Sequence, residues 1–252
     1  MEENARNERM LQAIRCFLNG TRADWQEGMS EEDWMELFVL SRQHQVFPMV
    51  YEAVWSCSAF GSLPGAKVQM LKRQMIQQIM LQSRKTEEFL NLYKKLTENG
   101  LSPIVVKGIV CRSLYREPDY RFSGDEDVLI QRDTFGRCHE IFSENGMKRS
   151  QPERNMESEG EISYYKDKGV LRVELHKELF ASDSEAYGDF NDLFADAFDR
   201  KIETVINGVK IYTMCHTEHL LYLICHAFKH FLHSGFGIRQ VCDIIIYANR
   251  YG

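Results

Sequence analysis

Two aspartates, Asp125 and Asp127, stand at the entrance to the apolar run Val128-Leu-Ile130. In a strand, residues i and i+2 face the same side, so the two carboxylates can converge. Paired hard oxygen ligands suit a divalent cation such as Mg²⁺, whose shell is usually completed by substrate phosphates. The chemistry implied is phosphoryl or nucleotidyl transfer. A third acid comes from Leu171-Arg-Val-Glu-Leu-His176, where Arg172, Glu174 and His176 share one face and Val173 and Leu175 take the other. Glu174 is the candidate third ligand. Without metal these acids repel one another, and a bound cation relieves the repulsion.

Positive charge for a triphosphate is available nearby. Lys107-Gly108 follows the β-branched run Pro103-Ile-Val-Val106 and precedes Ile109, Val110, Leu114 and Tyr115 at helical spacing. Strand, glycine turn and helix start place backbone N–H groups and a helix dipole where anions are favoured. Gly108 permits close approach of a phosphate to the backbone. Lys107 offers a point charge and Arg121 a bidentate fork, although Arg121 reads equally well as a surface ion-pair partner. A Lys-Gly pair alone has almost no specificity.

The elements that must position these residues are readable from periodicity. The first hundred residues are helical in pattern, with Ser30 and Asp33 resembling a capping box before Trp34, Leu37 and Phe38. A long helix is predicted from Ala66 to Asn99, stopped by Gly100, with its Met and Leu stripe read as core. Asp127–Ile130 reads as a strand and Asp133–Asn145 as a helix ended by Gly146. Arg149–Gly160 reads as a polar loop. Glu161–Lys166 and Val170–His176 are predicted to pair through Asp167-Lys168-Gly169, and Asn207-Gly208 marks a second hairpin within Glu203–Tyr212. Tyr187–Phe198 reads as helical or irregular, and helices return from Thr217. The fold class expected is α+β. Its division is 1–99 helical, 100–214 mixed core and 215–252 helical, and Arg250-Tyr-Gly, closing the chain directly on a helical pattern, suggests a piece of a longer protein.

Composition narrows the function. The 252 residues carry a net charge of −6 with a pI near 5.8, so no global basic field holds a nucleic acid and DNA is not an expected partner. No apolar run reaches the roughly 20 residues of a membrane span, and the N-terminus lacks a secretory signal, which suggests a cytoplasmic protein without membrane partners. Seven cysteines without a Cys-x-x-Cys pair argue against a disulfide framework and a structural zinc site. Cys111, in an apolar helix pattern, is read as buried and is given no catalytic role.

The set Lys107-Gly108, Leu114-Tyr115, Arg121, Asp125-Glu-Asp127-Val-Leu-Ile and Val173-Glu-Leu-His176 resembles the nucleotidyltransferase superfamily. It is similar in particular to uncharacterised bacterial nucleotidyltransferase-like proteins that open the motif with Lys-Gly. The resemblance covers roughly residues 100–180, with the helical segment around His226, Lys229, His230, Arg239 and Asp243 also similar. It implies a mixed-sheet nucleotidyltransferase core flanked by helical segments. It further implies two Mg²⁺ ions on Asp125, Asp127 and Glu174, and transfer of a nucleoside monophosphate, AMP from ATP foremost, to a hydroxyl on a small molecule, protein or RNA. Lys107, Gly108 and Arg121 are then the nucleotide-binding candidates.

Two departures bear on that reading. The superfamily more often opens its site with Gly-Ser, and Glu126 stands where an apolar residue is usual. Glu126 must find solvent or a partner, because burying an unpaired carboxylate is costly. The rival class is a degenerate nucleotide-binding or protein-interaction module. His176 alone reads first as a packed or hydrogen-bonded histidine. His226 and His230 lack the glutamate of His-Glu-x-x-His, so polar partners or a nucleotide cleft are favoured over zinc.

Overall fold

The computed structural model describes residues 3–26, 29–233, 235 and 237–252. Two compact units are present, one drawn from 1–83, 115–122 and 237–242, the other from 84–114, 123–236 and 243–252.

In the first unit, α1 (Glu3–Leu18), α2 (Glu31–Gln43) and α3 (Phe47–Val54) surround an aromatic core. Helix α2 begins as its sequence demands. The Asp33 N–H donates to the Ser30 hydroxyl oxygen at 3.1 Å, and that hydroxyl donates to the Asp33 carboxylate at 2.7 Å, which satisfies one of the amides a helix start leaves open. Trp34, Phe38, Tyr51 and Phe60 pack with ring centroids 5.2–6.2 Å apart, largely edge to face. Helix α4 (Gly65–Glu98) contributes its first part here. Its apolar stripe is only partly core: Leu71 and Met75 are buried, whereas Ile76, Met80 and Leu81 are exposed. The reason is geometric, since apolar residues at neighbouring positions spread around a helix of 3.6 residues per turn and cannot all face one side.

The second unit holds a mixed sheet of seven strands among the described residues, ordered β3-β4-β5-β2-β1-β7-β6. The strands are β1 (Ile104–Val106), β2 (Glu126–Leu129), β3 (Met147–Arg149), β4 (Glu161–Lys166), β5 (Arg172–His176), β6 (Ile202–Ile206) and β7 (Val209–Thr213). Both predicted hairpins form. β4 and β5 pair antiparallel, with Lys168 at a φ of +56°, and β6 and β7 join through Asn207 and Gly208 at +48° and +77°. Strand β3, within and before the stretch read as loop, pairs with β4; three residues are too few to show alternation. The 187–198 segment is irregular, with a short 3₁₀ turn at Asn191–Phe194.

Alternation along the strands divides their side chains between two cores. Val105, Val128, Val173 and Leu175 face Phe89, Tyr93 and Leu96 of α4 and Ile141 and Phe142 of α6 (Phe135–Glu144). Ile104, Val106 and Leu129 face Phe180, Phe194 and, from α7 (His216–His233), Tyr222 and Cys225. Helix α8 (Ile238–Tyr251) brings Tyr247 against Cys111 and Leu223. No helix among the described residues is long and apolar enough to cross a membrane.

Candidate active site

Strand register assembles the acids. Asp127 on β2 stands opposite Val106 on β1 and opposite Glu174 on β5. Ser163 and Glu161 of β4 stand opposite Glu174 and His176. Asp127, Glu174 and His176 offer ligand atoms that lie within 4.8 Å of one another. Asp125 precedes β2 and is partly exposed, but its charge is felt at Glu174. A buried lysine on α4 holds the approach to it: the Lys85 ammonium donates to the carbonyls of Ser123 at 2.5 Å and Gly124 at 2.8 Å.

Asp127 is 1% exposed. Its Oδ1 pairs with the Lys107 ammonium at 2.9 Å and accepts from His176 Nε2 at 3.2 Å. Burial opposes the charged form, yet Lys107 and His176 prevail and hold the carboxyl below its ordinary value. His176 is raised in turn: burial disfavours its charge, but the Asp127 hydrogen bond, followed by the charges of Asp127, Glu161 and Glu174, outweighs that cost. Glu174 is pushed up to about 7 by burial, then by the like charges of Asp127, Asp125 and Glu161.

These residues fit a divalent cation. Asp127 Oδ2 is buried with no hydrogen-bond partner, and the repulsion that raises Glu174 is the kind that a bound cation removes. An oxygen that is neither solvated nor bonded is costly unless something ligates it.

The Lys107-Gly108 turn is built differently from the simple anion cradle expected. Lys107 adopts φ +55° and ψ −128°, a region uncommon for a side-chain-bearing residue. Gly108 is required by Glu126, because a Cβ there would lie 2.0 Å from Glu126 Oε2. The anticipated partner of Glu126 is now clear. Adjacent positions on a strand face opposite ways, so Glu126 turns from Asp127 and receives the Ile109 N–H at 2.7 Å and the Arg112 guanidinium at 2.6 Å. Ser123 joins them, accepting from Arg112 at 2.9 Å. The Ile109 amide of α5 (Gly108–Arg112) is therefore already occupied by a carboxylate.

The Lys107 ammonium also donates to His226 Nε2 at 2.8 Å. An ammonium has no lone pair, so this nitrogen of His226 must be the unprotonated one. Burial and the Lys107 charge keep His226 well below its usual pKa, consistent with a neutral acceptor. His230 Nε2 approaches the same nitrogen at 3.3 Å. Among the expected site residues, Lys107, Asp127 and Glu174 belong to one cluster, with Gly108 shaping its turn. Arg121 belongs to the first unit and is 1% exposed, so its guanidinium presents no open face. His176 was legible only as one face of β5, and nothing local announced Lys85.

A model of the family described as "Uncharacterised nucleotidyltransferase" matches residues 30–252. The chain belongs to that family. As a nucleotidyltransferase it is a transferase, and its α+β fold with a mixed sheet is that of the class resembled. Two solved structures are similar in part. An antigenic nucleotidyltransferase-like protein from Paracoccidioides brasiliensis shares 18% identity over 67% of this chain and 77% of that one, with a TM-score of 0.44. ANT(2″)-Ia in complex with adenylyl-2″-tobramycin shares 13% identity over 66% of this chain and 90% of that one, with a TM-score of 0.45. Comparison with curated proteins gives no match.

Proposed function

We propose that this nucleotidyltransferase is a cytoplasmic, Mg²⁺-dependent enzyme that transfers a nucleoside monophosphate, AMP from ATP foremost, to an acceptor hydroxyl on a small molecule, protein or RNA. The supporting observation is the buried, unpartnered Oδ2 of Asp127 within its cluster with Glu174 and His176. Asp125, Asp127 and Glu174 are the residues assigned to hold the metal. When bound, Mg²⁺ neutralises charge on the phosphates and orients them for in-line displacement.

The chain's own groups supply the rest. The Lys107 ammonium, carried on a flexible stem, offers its charge to the phosphates as a point donor. Gly108 keeps the backbone low beside it, and Arg121 remains the second candidate for the phosphates. Glu174 takes the proton of the acceptor hydroxyl. The hydroxyl oxygen bonds to the α-phosphorus, the bond to the β-phosphate oxygen breaks, and pyrophosphate leaves.

The reading is tested by titration calorimetry with ATP and with GTP, with and without Mg²⁺, comparing the parent with Asp125→Ala/Asp127→Ala. Metal-dependent binding that the double variant loses is the expected result, and labelled-nucleotide transfer then identifies the acceptor. Nucleotide binding that ignores metal would instead favour a degenerate binding module. That second reading draws on the Lys107 ammonium pairing with Asp127 and on the Ile109 amide being taken by Glu126.

A further inference from the structure

Helix α7 grips Lys107 twice. The Lys107 N–H donates to His219 Nε2 at 3.0 Å, so this nitrogen carries no proton and Nδ1 carries it. His219 Nδ1 then donates to Thr213 Oγ1 at 3.1 Å, and the Thr213 hydroxyl donates to the Val105 carbonyl at 2.7 Å. Thr213 ends β7 and Val105 lies in β1, so the imidazole is tied to the sheet at one nitrogen and to the turn at the other. His219 is fully buried. Burial, with the nearby His216 charge, lowers it to about 3, which keeps it neutral and fixed in this tautomer. One residue thus anchors the backbone N–H of a lysine whose φ of +55° few side chains tolerate.

His226 holds the other end of the same residue, accepting from the ammonium that also faces Asp127. Positions 219 and 226 are separated by seven residues, close to two helical turns, and therefore lie on one face of α7. Tyr222, fully buried between them, packs near both imidazoles with centroids 6.5 and 5.7 Å away. Helix α7 thus reaches the turn through both the backbone and the side chain of Lys107.

We infer that His219 and His226 are positioning residues for Lys107, His219 by imposing the turn's backbone and His226 by aiming the ammonium, so that α7 sets how this enzyme receives the nucleotide's phosphates. The inference rests on the reading of Lys107 as a phosphate ligand.

The test uses the full chain and ATP with Mg²⁺, measured by titration calorimetry together with thermal melting. Four histidine variants are compared with Lys107→Ala. A glutamine places a polar atom near the position of imidazole Nε2, whereas an asparagine reaches only as far as Nδ1. His219→Asn and His226→Leu are expected to weaken binding about tenfold, the scale of one lost charge-assisted hydrogen bond or its positioning. His219→Gln and His226→Gln are expected to recover most of that loss. His226 is only half-buried, so His226→Leu tests the inference even where His219→Asn lowers the melting temperature too far for titration. Binding weakened by Lys107→Ala but unchanged in His226→Leu and His219→Asn overturns the inference alone. Equal losses in the glutamine and the truncating variants overturn it as well, since they show general packing. Unchanged binding in Lys107→Ala overturns the phosphate reading on which the inference stands.

Discussion

Lys107-Gly108 and Asn207-Gly208 each place two successive residues at positive φ, +55° and +37° in the first turn and +48° and +77° in the second. The forces behind them differ. Asn207-Gly208 is an exposed two-residue hairpin loop between β6 and β7, where the right-handed twist of the strands selects a primed turn and Asn and Gly tolerate it locally. Lysine has no such preference. At Lys107 the conformation is held by contacts distant in sequence: His219 on its N–H, Asp127 and His226 on its ammonium, and the Glu126 carboxylate beneath Gly108. A turn chosen by its own residues shapes a loop, whereas a turn held against its residues' preference marks a place where surrounding structure maintains strain, as functional sites do.

The largest effect expected from breaking this contrast is at Arg112. With its guanidinium 1% exposed and bonded to Glu126 and Ser123, Arg112→Ala leaves a buried carboxylate short of its counter-charge. Removing one partner of a buried pair costs about 3–5 kcal/mol. Denaturant unfolding of the variant checks this, and a loss under about 1 kcal/mol would show that the Lys107 turn does not depend on the Glu126 anchor. No equivalent substitution exists beside Asn207-Gly208, whose shape is intrinsic.

Next in size are the two glycines themselves. Gly108→Ala drives a Cβ to 2.0 Å from Glu126 Oε2 at a φ of +37°, whereas around Gly208 nothing lies within 4 Å of the same added atom. Overpacking and backbone strain together predict a loss of about 3 kcal/mol at position 108, against about 1 kcal/mol of strain alone at 208. Paired unfolding curves measure the difference, and equal losses would erase the distinction drawn between the turns.

The same contrast explains what could be read from residues alone. Asn207-Gly208 and Asp167-Lys168-Gly169 declared their hairpins because the signal is local. Asp127 and Glu174 could be placed in one site because strand alternation and two acidic motifs suffice for it. Glu126 could be seen to face away from Asp127 by the same alternation, but its partner Arg112 comes from another element, and two sequence-distant groups announce nothing until packed. The helical spacing of His226 and His230 was visible, whereas Lys107, the partner that His226 shares with His219, lies more than a hundred residues earlier in the chain. Lys85 sat inside a helical pattern that read as uniform. Arg121 drew notice through charge, and its burial is a tertiary outcome that charge cannot foretell.

Acid should weaken the turn at Lys107 through His219. Its folded pKa, about 3, lies below the 6.5 of an ordinary histidine, so the unfolded chain takes the proton first. The stability His219 contributes is fully present above about 6.5 and is lost progressively as pH falls from there toward 3. Each unit within that window removes up to about 1.4 kcal/mol. Unfolding free energies at pH 7.5 and 5.5 should therefore drop by about 1 kcal/mol more in the parent than in His219→Gln, which has no titrating ring. Parallel drops would mean that His219 does not stay neutral in the folded protein.

The smallest effect isolates the intrinsic backbone cost of a lysine at positive φ. Asn207→Lys puts a lysine at positive φ in an exposed turn with none of the partners that Lys107 has. Left-handed backbone costs an ordinary side chain about 1 kcal/mol, and asparagine escapes part of that cost. A loss of about 0.5–1 kcal/mol in the hairpin variant is expected, read from denaturant unfolding of variant and parent. That value sets a lower bound on what the grip of His219, His226 and Asp127 must offset at Lys107, because the ψ of −128° there departs further from the left-handed minimum. A hairpin that accepts lysine without loss would remove the strain from the argument and leave the Lys107 turn as ordinary in backbone as its counterpart.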